Sequence, residues 1–410
     1  MNIAIITEFV AKQGDGYYGG VDARAMNLSK ELAKRNEVHL FTSLQPGQER
    51  LEDHGNLLVH RLGEARPFVQ RGDFLSRLRF NKICEKEILD LNPDVVEGSG
   101  FVSYAGSYRS GMVAMRPAMA TVHEVWQGEW VRNMGLLNGA VGSVLERLYL
   151  KAPFDRYIAV SEFTKDKLVG MGIDPERVCV IKNGVDRGQF ERVEVDGKFS
   201  SPTVVSICRL VSYKKVDLLI RAVGILRKKM PDIRLLIVGR GSEEQNLRNL
   251  VYSLGLERNV EFLGKVPTMD GLVELLKRSH LFVLPSIVEG FGMVVVEAMA
   301  AGTPYVASDI PPIREATQGG IGGRLFQPMD VTDLVRKMEE AFEWMDGRAD
   351  ARVRGLLEEY DWRNLALSYE SEVKHLVGGW DGIHQEVPRE APDGYTTAAS
   401  ASHILGRIRK

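Results

Sequence analysis

The side chains best suited to chemistry in this chain fall into two blocks and one glycine-rich loop. The first block is Ile207-Cys208-Arg209-Leu210-Val211-Ser212-Tyr213-Lys214. Arg209 offers a planar fork to two phosphate oxygens, and Lys214 adds a point charge from the start of the next predicted helix. The plain alternative is a solvated pair of cations. The second block runs Pro285-Ser-Ile-Val-Glu289-Gly290-Phe291-Gly292-Met293 and reaches Glu297 eight positions after Glu289. Its turn opens a helix near Met293, whose unpaired amides and positive dipole end form an anion site. Glu289 faces the cleft from the loop, while Glu297, just over one turn into the helix, is placed to accept both hydroxyls of a vicinal diol such as ribose. Glu297 is otherwise a first-turn carboxylate favoured by the dipole alone. A diphosphate between the two blocks would be neutralised on several sides.

The loop is Gly14-Asp-Gly16-Tyr-Tyr-Gly19-Gly20, which matches the G-x-G-x-x-G pattern of dinucleotide folds. The acidic residue that would hold a ribose at the end of the second strand is replaced by Phe41-Thr42-Ser43, and the glycines lie far from the strand. A flexible loop touching a phosphate or sugar at a helix N-terminus fits better than a nicotinamide site.

These residues need a scaffold, and the apolar pattern supplies one. Strand-like runs (3–7, 38–42, 57–60, 95–97, 118–122, 157–160) alternate with amphipathic stretches (22–34, 78–91, 162–169). A second series has strands at 203–208, 234–238, 260–263, 281–284, 304–307 and 323–326. Such alternation predicts α/β structure with parallel sheets, here two Rossmann-like doubly wound domains facing each other across a cleft. Residues 1–190 form the amino-terminal domain and 203–360 the carboxyl-terminal domain, with the polar stretch 187–202 as linker. A helix over 361–377 packs back onto the first domain, and 378–410 is a loosely packed tail. Ligands of such sheets bind at the carboxyl ends of the strands, so the cleft is the natural site.

Composition narrows the function class. The 410 residues, 44% hydrophobic and 26% charged, are an ordinary globular mixture with length for two cores. With 53 Lys plus Arg against 55 Asp plus Glu the formal charge is −2, so no global field would hold nucleic acid. Cys84, Cys179 and Cys208 form no CxxC pair and no metal-ligand cluster, which suits a reducing compartment. The opening Met1-Asn-Ile-Ala-Ile-Ile-Thr-Glu8 reads as a strand and not as a signal peptide, and no apolar run is long enough to span a membrane. The expected location is cytoplasmic, with peripheral attachment at the inner face of the membrane as an addition.

These blocks resemble the family 4 glycosyltransferases, retaining enzymes of the GT-B architecture that use a nucleotide diphosphate sugar. The likeness covers about residues 1 to 377. Its most specific element is the Glu-x7-Glu block from Glu289 to Glu297, with Gly-Phe-Gly inside and Glu-Ala-Met-Ala-Ala-Gly-Thr-Pro after it. Gly19-Gly20, Thr121-Val-His123-Glu124, Val160-Ser161-Glu162, Asn183-Gly-Val-Asp186, Arg209 to Lys214 and Val238-Gly239-Arg-Gly241 support it. The resemblance implies that Arg209 and Lys214 bind the donor diphosphate, that Glu297 holds the ribose, and that Glu289 with the amides of Gly290, Phe291 and Gly292, ahead of Met293, contacts the donor sugar. It also implies that Gly19 and Gly20 close over the diphosphate, that Gly239 and Gly241 line the donor site, that His123 sits by the sugar or acceptor, and that the backbone at Lys265 and Val266 meets the nucleobase. This chain departs from the pattern at Arg240 after Gly239 and at Arg314 before Glu315.

The implied reaction is metal-independent and needs no cofactor, since fixed cations and helix amides stabilise the departing diphosphate. No Asp-x-Asp triplet is present. The donor is of UDP, GDP or ADP type, and the acceptor a glycan, a lipid or a small molecule. A non-catalytic nucleotide-sugar-binding subunit and an NAD-dependent oxidoreductase are the alternatives. Arg209→Ala or Lys214→Ala is expected to lose turnover with little effect on folding. For the acceptor, two stretches stand out. Residues 66–82 interleave Arg66, Arg71, Arg77, Arg79 and Lys82 with Phe68, Phe74, Leu75, Leu78 and Phe80, either as a lipid-facing surface or as a core-facing helix with a solvated basic face. Trp126, Trp130, Val131, Met134, Leu136 and Leu137 either line an acceptor pocket or pack.

Overall fold

Strands covered by helices on both faces read as unbroken apolar runs, and such runs form the centre of both sheets here. The computed structural model describes residues 1–12, 16, 19–67, 74–343 and 351–384. In the amino-terminal half, β1 (Asn2–Thr7), β2 (Glu37–Ser43), β3 (Leu51–Asp53), β4 (Leu57–Leu62), β5 (Val95–Ser99), β6 (Ala118–Val122), β7 (Arg156–Ala159) and β8 (Val178–Val180) pair in the order β3-β4-β2-β1-β5-β6-β7-β8. All pairs are parallel except β3 with β4, an antiparallel edge that the sequence pattern does not announce because β3 is three residues with only one apolar side chain. The carboxyl-terminal half pairs β9 (Thr203–Ile207), β10 (Arg234–Val238), β11 (Val260–Gly264), β12 (Leu281–Leu284), β13 (Tyr305–Ser308) and β14 (Gly323–Phe326) in the order β11-β10-β9-β12-β13-β14, all parallel. This is the GT-B arrangement of two parallel-sheet α/β domains.

The helices of the first half are α1 (Gly20–Leu32), α2 (Phe74–Leu91), α3 (Tyr104–Ala114), α4 (Trp130–Met134), α5 (Leu136–Leu150), α6 (Glu162–Gly170) and α7 (Arg187–Arg192). Those of the second are α8 (Val216–Leu226), α9 (Glu244–Ser253), α10 (Met269–Arg278), α11 (Met293–Ala300), α12 (Pro311–Ala316), α13 (Val331–Glu343), α14 (Ala351–Glu359) and α15 (Trp362–His384). The stretch read as an unpatterned linker thus begins with a helix: Asp186 caps α7 by accepting from the Gln189 amide at 3.1 Å, and Phe190 is its single buried anchor.

Helix α15 lies against α1 of the amino-terminal half. Arg35 donates to Glu370 at 2.7 Å, and Tyr369 donates to the buried Glu97 of β5. Phe291 meets Tyr360 edge to face at 5.3 Å, so the core runs continuously from the second sheet into the returning carboxyl-terminal helices. Residues 378–384, expected in a loose tail, continue α15, and 385–410 lie outside the described residues.

Candidate active site

Open parallel sheets bind ligands where the strand order reverses, because the loops leaving two neighbouring strands diverge there and leave a crevice. In the second sheet the reversal lies between β9 and β12. Arg209 leaves the end of β9, and the Glu289-to-Met293 turn follows β12, so the two chemical blocks of the sequence are adjacent strand exits. The first sheet reverses between β1 and β5, and Ser99 and His123 leave β5 and its neighbour β6 toward the same cleft.

The two sets of strand ends touch. A Cβ on Gly290 would lie 1.7 Å from the His123 carbonyl oxygen, so this meeting of domains requires glycine. Ser161 donates to the Gly290 carbonyl at 2.8 Å while accepting from the Thr164 amide, so one hydroxyl both caps α6 and grips the opposite turn. The Gly16 amide donates to the Pro267 carbonyl at 2.7 Å, and a Cβ on Gly20 would sit 3.1 Å from the Met293 sulfur. The N-termini of α1 and α11 therefore face each other. Gly19 donates to the Asp22 carboxylate at 2.7 Å, and Gly14 lies outside the described residues.

Lys214 Nζ stands 2.6 Å from Glu289 Oε1, with both side chains only 9% exposed. Burial pulls the Lys214 ammonium down, but Glu289, then Tyr213 and Glu124, outweigh it and the net direction is up. Lys214 closes a short 3₁₀ turn (Ser212–Lys214) ahead of α8, and Lys215 takes the left-handed conformation (φ 52°) between them. Arg209 donates to the Tyr213 hydroxyl at 2.8 Å. Tyr213 meets Trp126 edge to face at 5.2 Å, and Trp126 Nε1 donates to Glu124 at 2.6 Å. A chain of contacts thus crosses the cleft from Glu124 to Arg209.

Gly239 (φ 131°) and Gly241 hold the loop that carries Arg209. Cβ atoms there would fall 1.9 Å from the Cys208 carbonyl oxygen and 2.1 Å from that of Leu210. Glu297 faces a small pocket shared by both halves and lined by Ala23, Asn27, Asp186, Gln189, Met293 and Trp362. Burial alone pushes its carboxyl up to about 7. His123 Nε2 lies 3.1 Å from Ser99 Oγ; burial, then the nearby Arg24, pushes it down to about 3, so the imidazole is neutral at neutral pH. Val266 lies under Gly16, whose Cβ would approach the Val266 carbonyl to 2.8 Å, and Lys265 is exposed beside it.

Several residues here were given no role from sequence. Glu315 accepts from the Glu162 and Phe163 amides at 2.9 and 3.3 Å, capping α6 from the opposite domain. Arg24 is buried and donates to the carbonyls of Ile181 and Lys182. Tyr213 bridges the cleft to Trp126, which the sequence offers only as lining an acceptor pocket or packing. Only Ser161 carried a signal, as a capping residue ahead of a helix.

On the acceptor side, Arg66 and Arg77 are spent on Glu8 at 3.3 and 2.7 Å and Phe80 is buried, whereas Leu75 and Leu78 are exposed beside Arg79 and Lys82, so the described part of 66–82 has both a packed face and an apolar, basic outer face. Phe68 and Arg71 lie outside the described residues. Trp126 and Trp130 meet with their rings tilted by 47° and centroids 5.4 Å apart, and the Trp126 amide and Trp130 Nε1 both donate to Glu146, whereas Leu136 and Leu137 are exposed. Among the described residues, no group of three or more His, Cys, Asp or Glu side chains could hold a metal ion, and no helix is long and apolar enough to cross a membrane.

Comparison with known proteins agrees with this architecture. Residues 18–189 match the family model described as Glycosyltransferase Family 4, and residues 190–353 match that described as Glycosyl transferases group 1. A D-inositol 3-phosphate glycosyltransferase of Nocardia farcinica is 26% identical over 93% of this chain and 91% of its own. Sucrose-phosphate synthase from Thermosynechococcus elongatus superposes with a TM-score of 0.77 over 92% of this chain and 99% of its own, at 20% identity. Anabaena HepE, solved in complex with UDP-glucose, gives 0.69 over 91% and 99%, at 18% identity.

Proposed function

As the chain belongs to the glycosyltransferases, joining a family 4 half to a group 1 half, we propose that it moves a sugar from a nucleotide diphosphate sugar to a hydroxyl acceptor with retention at the anomeric carbon. The observation that carries this reading is the convergence of Arg209, the Lys214–Glu289 pair and the α11 N-terminus at the exits of two neighbouring strands. The donor diphosphate lies there, its charge met by Arg209, Lys214 and the amides from Gly290 to Met293. Glu297 accepts from the ribose hydroxyls, Lys265 and Val266 flank the nucleobase, and Gly19 and Gly20 close from the opposite helix. Gly239 and Gly241 serve by fixing Arg209.

Donor binding exchanges the Lys214–Glu289 contact for one with phosphate. Lys214 turns to the diphosphate and Glu289 is released to hydrogen-bond the sugar. As the bond from C1 to the phosphate oxygen breaks, its electron pair passes to the diphosphate, and the two cations and the helix end stabilise that charge without needing a metal. The acceptor hydroxyl forms the new bond to C1 from the same face, and its proton goes to the departing phosphate oxygen. His123, neutral and held by Ser99, takes part as a hydrogen-bonding group, not as an acid.

The UDP-glucose in the HepE complex puts UDP-sugars first in the test. Purified protein is screened with UDP-, GDP- and ADP-sugars for a rise in melting temperature and for release of nucleoside diphosphate, with and without excess EDTA. A rise of several degrees with one nucleotide class is expected, since binding to the folded state alone stabilises it. Stabilisation by NAD with none by the three diphosphates would overturn the reading, and loss of turnover in EDTA would overturn its metal-free part.

A further inference from the structure

Helix α5 is apolar on its outer face. Its inner face is made by Gly139, Gly142, Glu146 and Leu150, all buried. The two glycines admit α4: a Cβ on Gly142 would lie 2.4 Å from the Trp130 ring, and one on Gly139 would lie 2.5 Å from the Val131 Cα. Glu146 then accepts from the Trp126 amide, Gln127 and Trp130 Nε1 at 2.8, 3.0 and 2.9 Å. With the helix fixed in this rotation, Leu137, Val141, Val144 and Leu148 form a stripe at helical spacing on the solvent side, extended by Leu136 and by Val131 of α4. Leu136 and Leu137 are 75% and 82% exposed. Soluble surfaces rarely line up apolar side chains in this way without an occupant.

Charge indicates the occupant. Glu146 is the only acidic residue between Trp130 and Phe154, and it is buried, whereas Arg132, Arg147 and Lys151 are exposed on the same segment. An apolar stripe whose exposed charges within residues 130–154 are all cations complements an anionic lipid surface, where the side chains enter the acyl boundary and the cations meet headgroup phosphates. A second copy of the chain would bring the same cations face to face. The segment also continues, through Trp130 and Trp126, to Tyr213 and Arg209 in the cleft.

We infer that α4 and α5 dock this protein on an anionic membrane surface, which presents the cleft to an acceptor held in or at that membrane. The docking is independent of the transferase reading; only the acceptor class rests on it.

The test uses full-length protein and vesicles of phosphatidylcholine with and without about one third phosphatidylglycerol. Cosedimentation with the anionic vesicles is expected, with little on phosphatidylcholine alone. Binding should fall at least tenfold in Leu137→Ser/Val141→Ser, and roughly fivefold for each of Arg132→Gln and Arg147→Gln. These exposed positions leave the core intact, which the unchanged melting temperature and donor-induced thermal shift of each variant confirm. Absence of anionic-vesicle binding, or binding unchanged in the double serine variant, would overturn the inference, as would a dimer in sedimentation velocity that the serine variant dissociates. Loss of donor binding in the wild type with vesicle binding intact would instead sink the transferase reading alone.

Discussion

The two walls of the cleft are held by different kinds of contact. On the donor wall the backbone around Arg209 is locked within its own domain, with Gly239 and Gly241 seated on the carbonyls of Cys208 and Leu210. On the facing wall, His123, Trp126 and Ser161 have partners in their own domain, Ser99, Glu124 with Glu146, and Thr164, and each also reaches the donor wall: His123 against Gly290, Trp126 against Tyr213, Ser161 on the Gly290 carbonyl. The first arrangement persists whether or not the cleft is closed. The contacts that reach across from the facing wall exist only in the closed state. Substitutions of the same chemical type should therefore lower stability on one side and closure on the other.

The largest effect is expected at the cations. Arg209→Ala and Lys214→Ala should each lower kcat by about 10²- to 10³-fold, the range for removing one preorganised donor at developing charge. Stability separates them. Arg209 is exposed to the cleft, so its loss should leave the melting temperature nearly unchanged. Removing Lys214 strands the buried Glu289, which costs about 3 kcal/mol, so the expectation of little effect on folding applies to Arg209 and not to Lys214. Lys214→Met with Glu289→Gln should recover the stability but not the rate; recovery of the rate would refute the role of Lys214.

The glycines break the comparison directly. Gly239→Ala places a Cβ in a left-handed conformation against a carbonyl of the same domain, which no rigid-body motion relieves. A loss of about 2–3 kcal/mol is expected, and a melting temperature lower by roughly 5–10 °C. Gly290→Ala meets the His123 carbonyl across the domain boundary, and opening the cleft relieves the clash. Its thermal cost should be smaller and its activity loss larger than the stability change explains. Thermal melts with turnover assays decide this, and the reverse ranking would show that the cleft is one rigid body.

What the sequence revealed follows the same division. Arg209, Lys214, Glu289 and Glu297 were legible because a strand exit, a glycine turn and a helix start fix local geometry within a few residues. Tyr213 with Trp126, and Glu315 with α6, were not, because each pair joins segments far apart in sequence that meet only through domain packing. The α5 stripe was hidden for another reason. Periodicity shows that Leu137, Val141, Val144 and Leu148 share a face but not that this face points outward, which Gly139, Gly142 and the buried Glu146 decide.

Glu297 gives a pH signature of intermediate size. Its carboxyl is held at about 7, above the ordinary 4.5, so between those values the folded chain keeps a proton that the unfolded chain releases. The free protein therefore loses stability from this group as pH rises toward 7. Nucleotide binding should run the opposite way, because a carboxylate accepting two ribose hydroxyls must be ionised. Affinity is expected to weaken by up to about tenfold per pH unit below 7. Calorimetric titration with the nucleotide at several pH values tests this, with Glu297→Gln flattening the profile; an unchanged slope in that variant would assign the titration elsewhere.

The smallest effect should come from the contact most dependent on closure. Glu315 places its carboxylate on the first amides of α6, and a charge at a helix N-terminus contributes about 0.3–1 kcal/mol. Glu315→Gln keeps an oxygen there and removes the charge. Because the two partners separate when the cleft opens, the loss falls on the closed state alone and not on either domain's folding. The donor KM should rise about two- to fivefold with kcat and melting temperature unchanged. Ser161→Ala, which removes the grip on Gly290 and also the α6 cap, should add a fall in melting temperature to the same rise in KM. If Glu315→Gln lowered the melting temperature and left KM alone, the contact would belong to the static fold, and the facing wall would be as rigid as the donor wall.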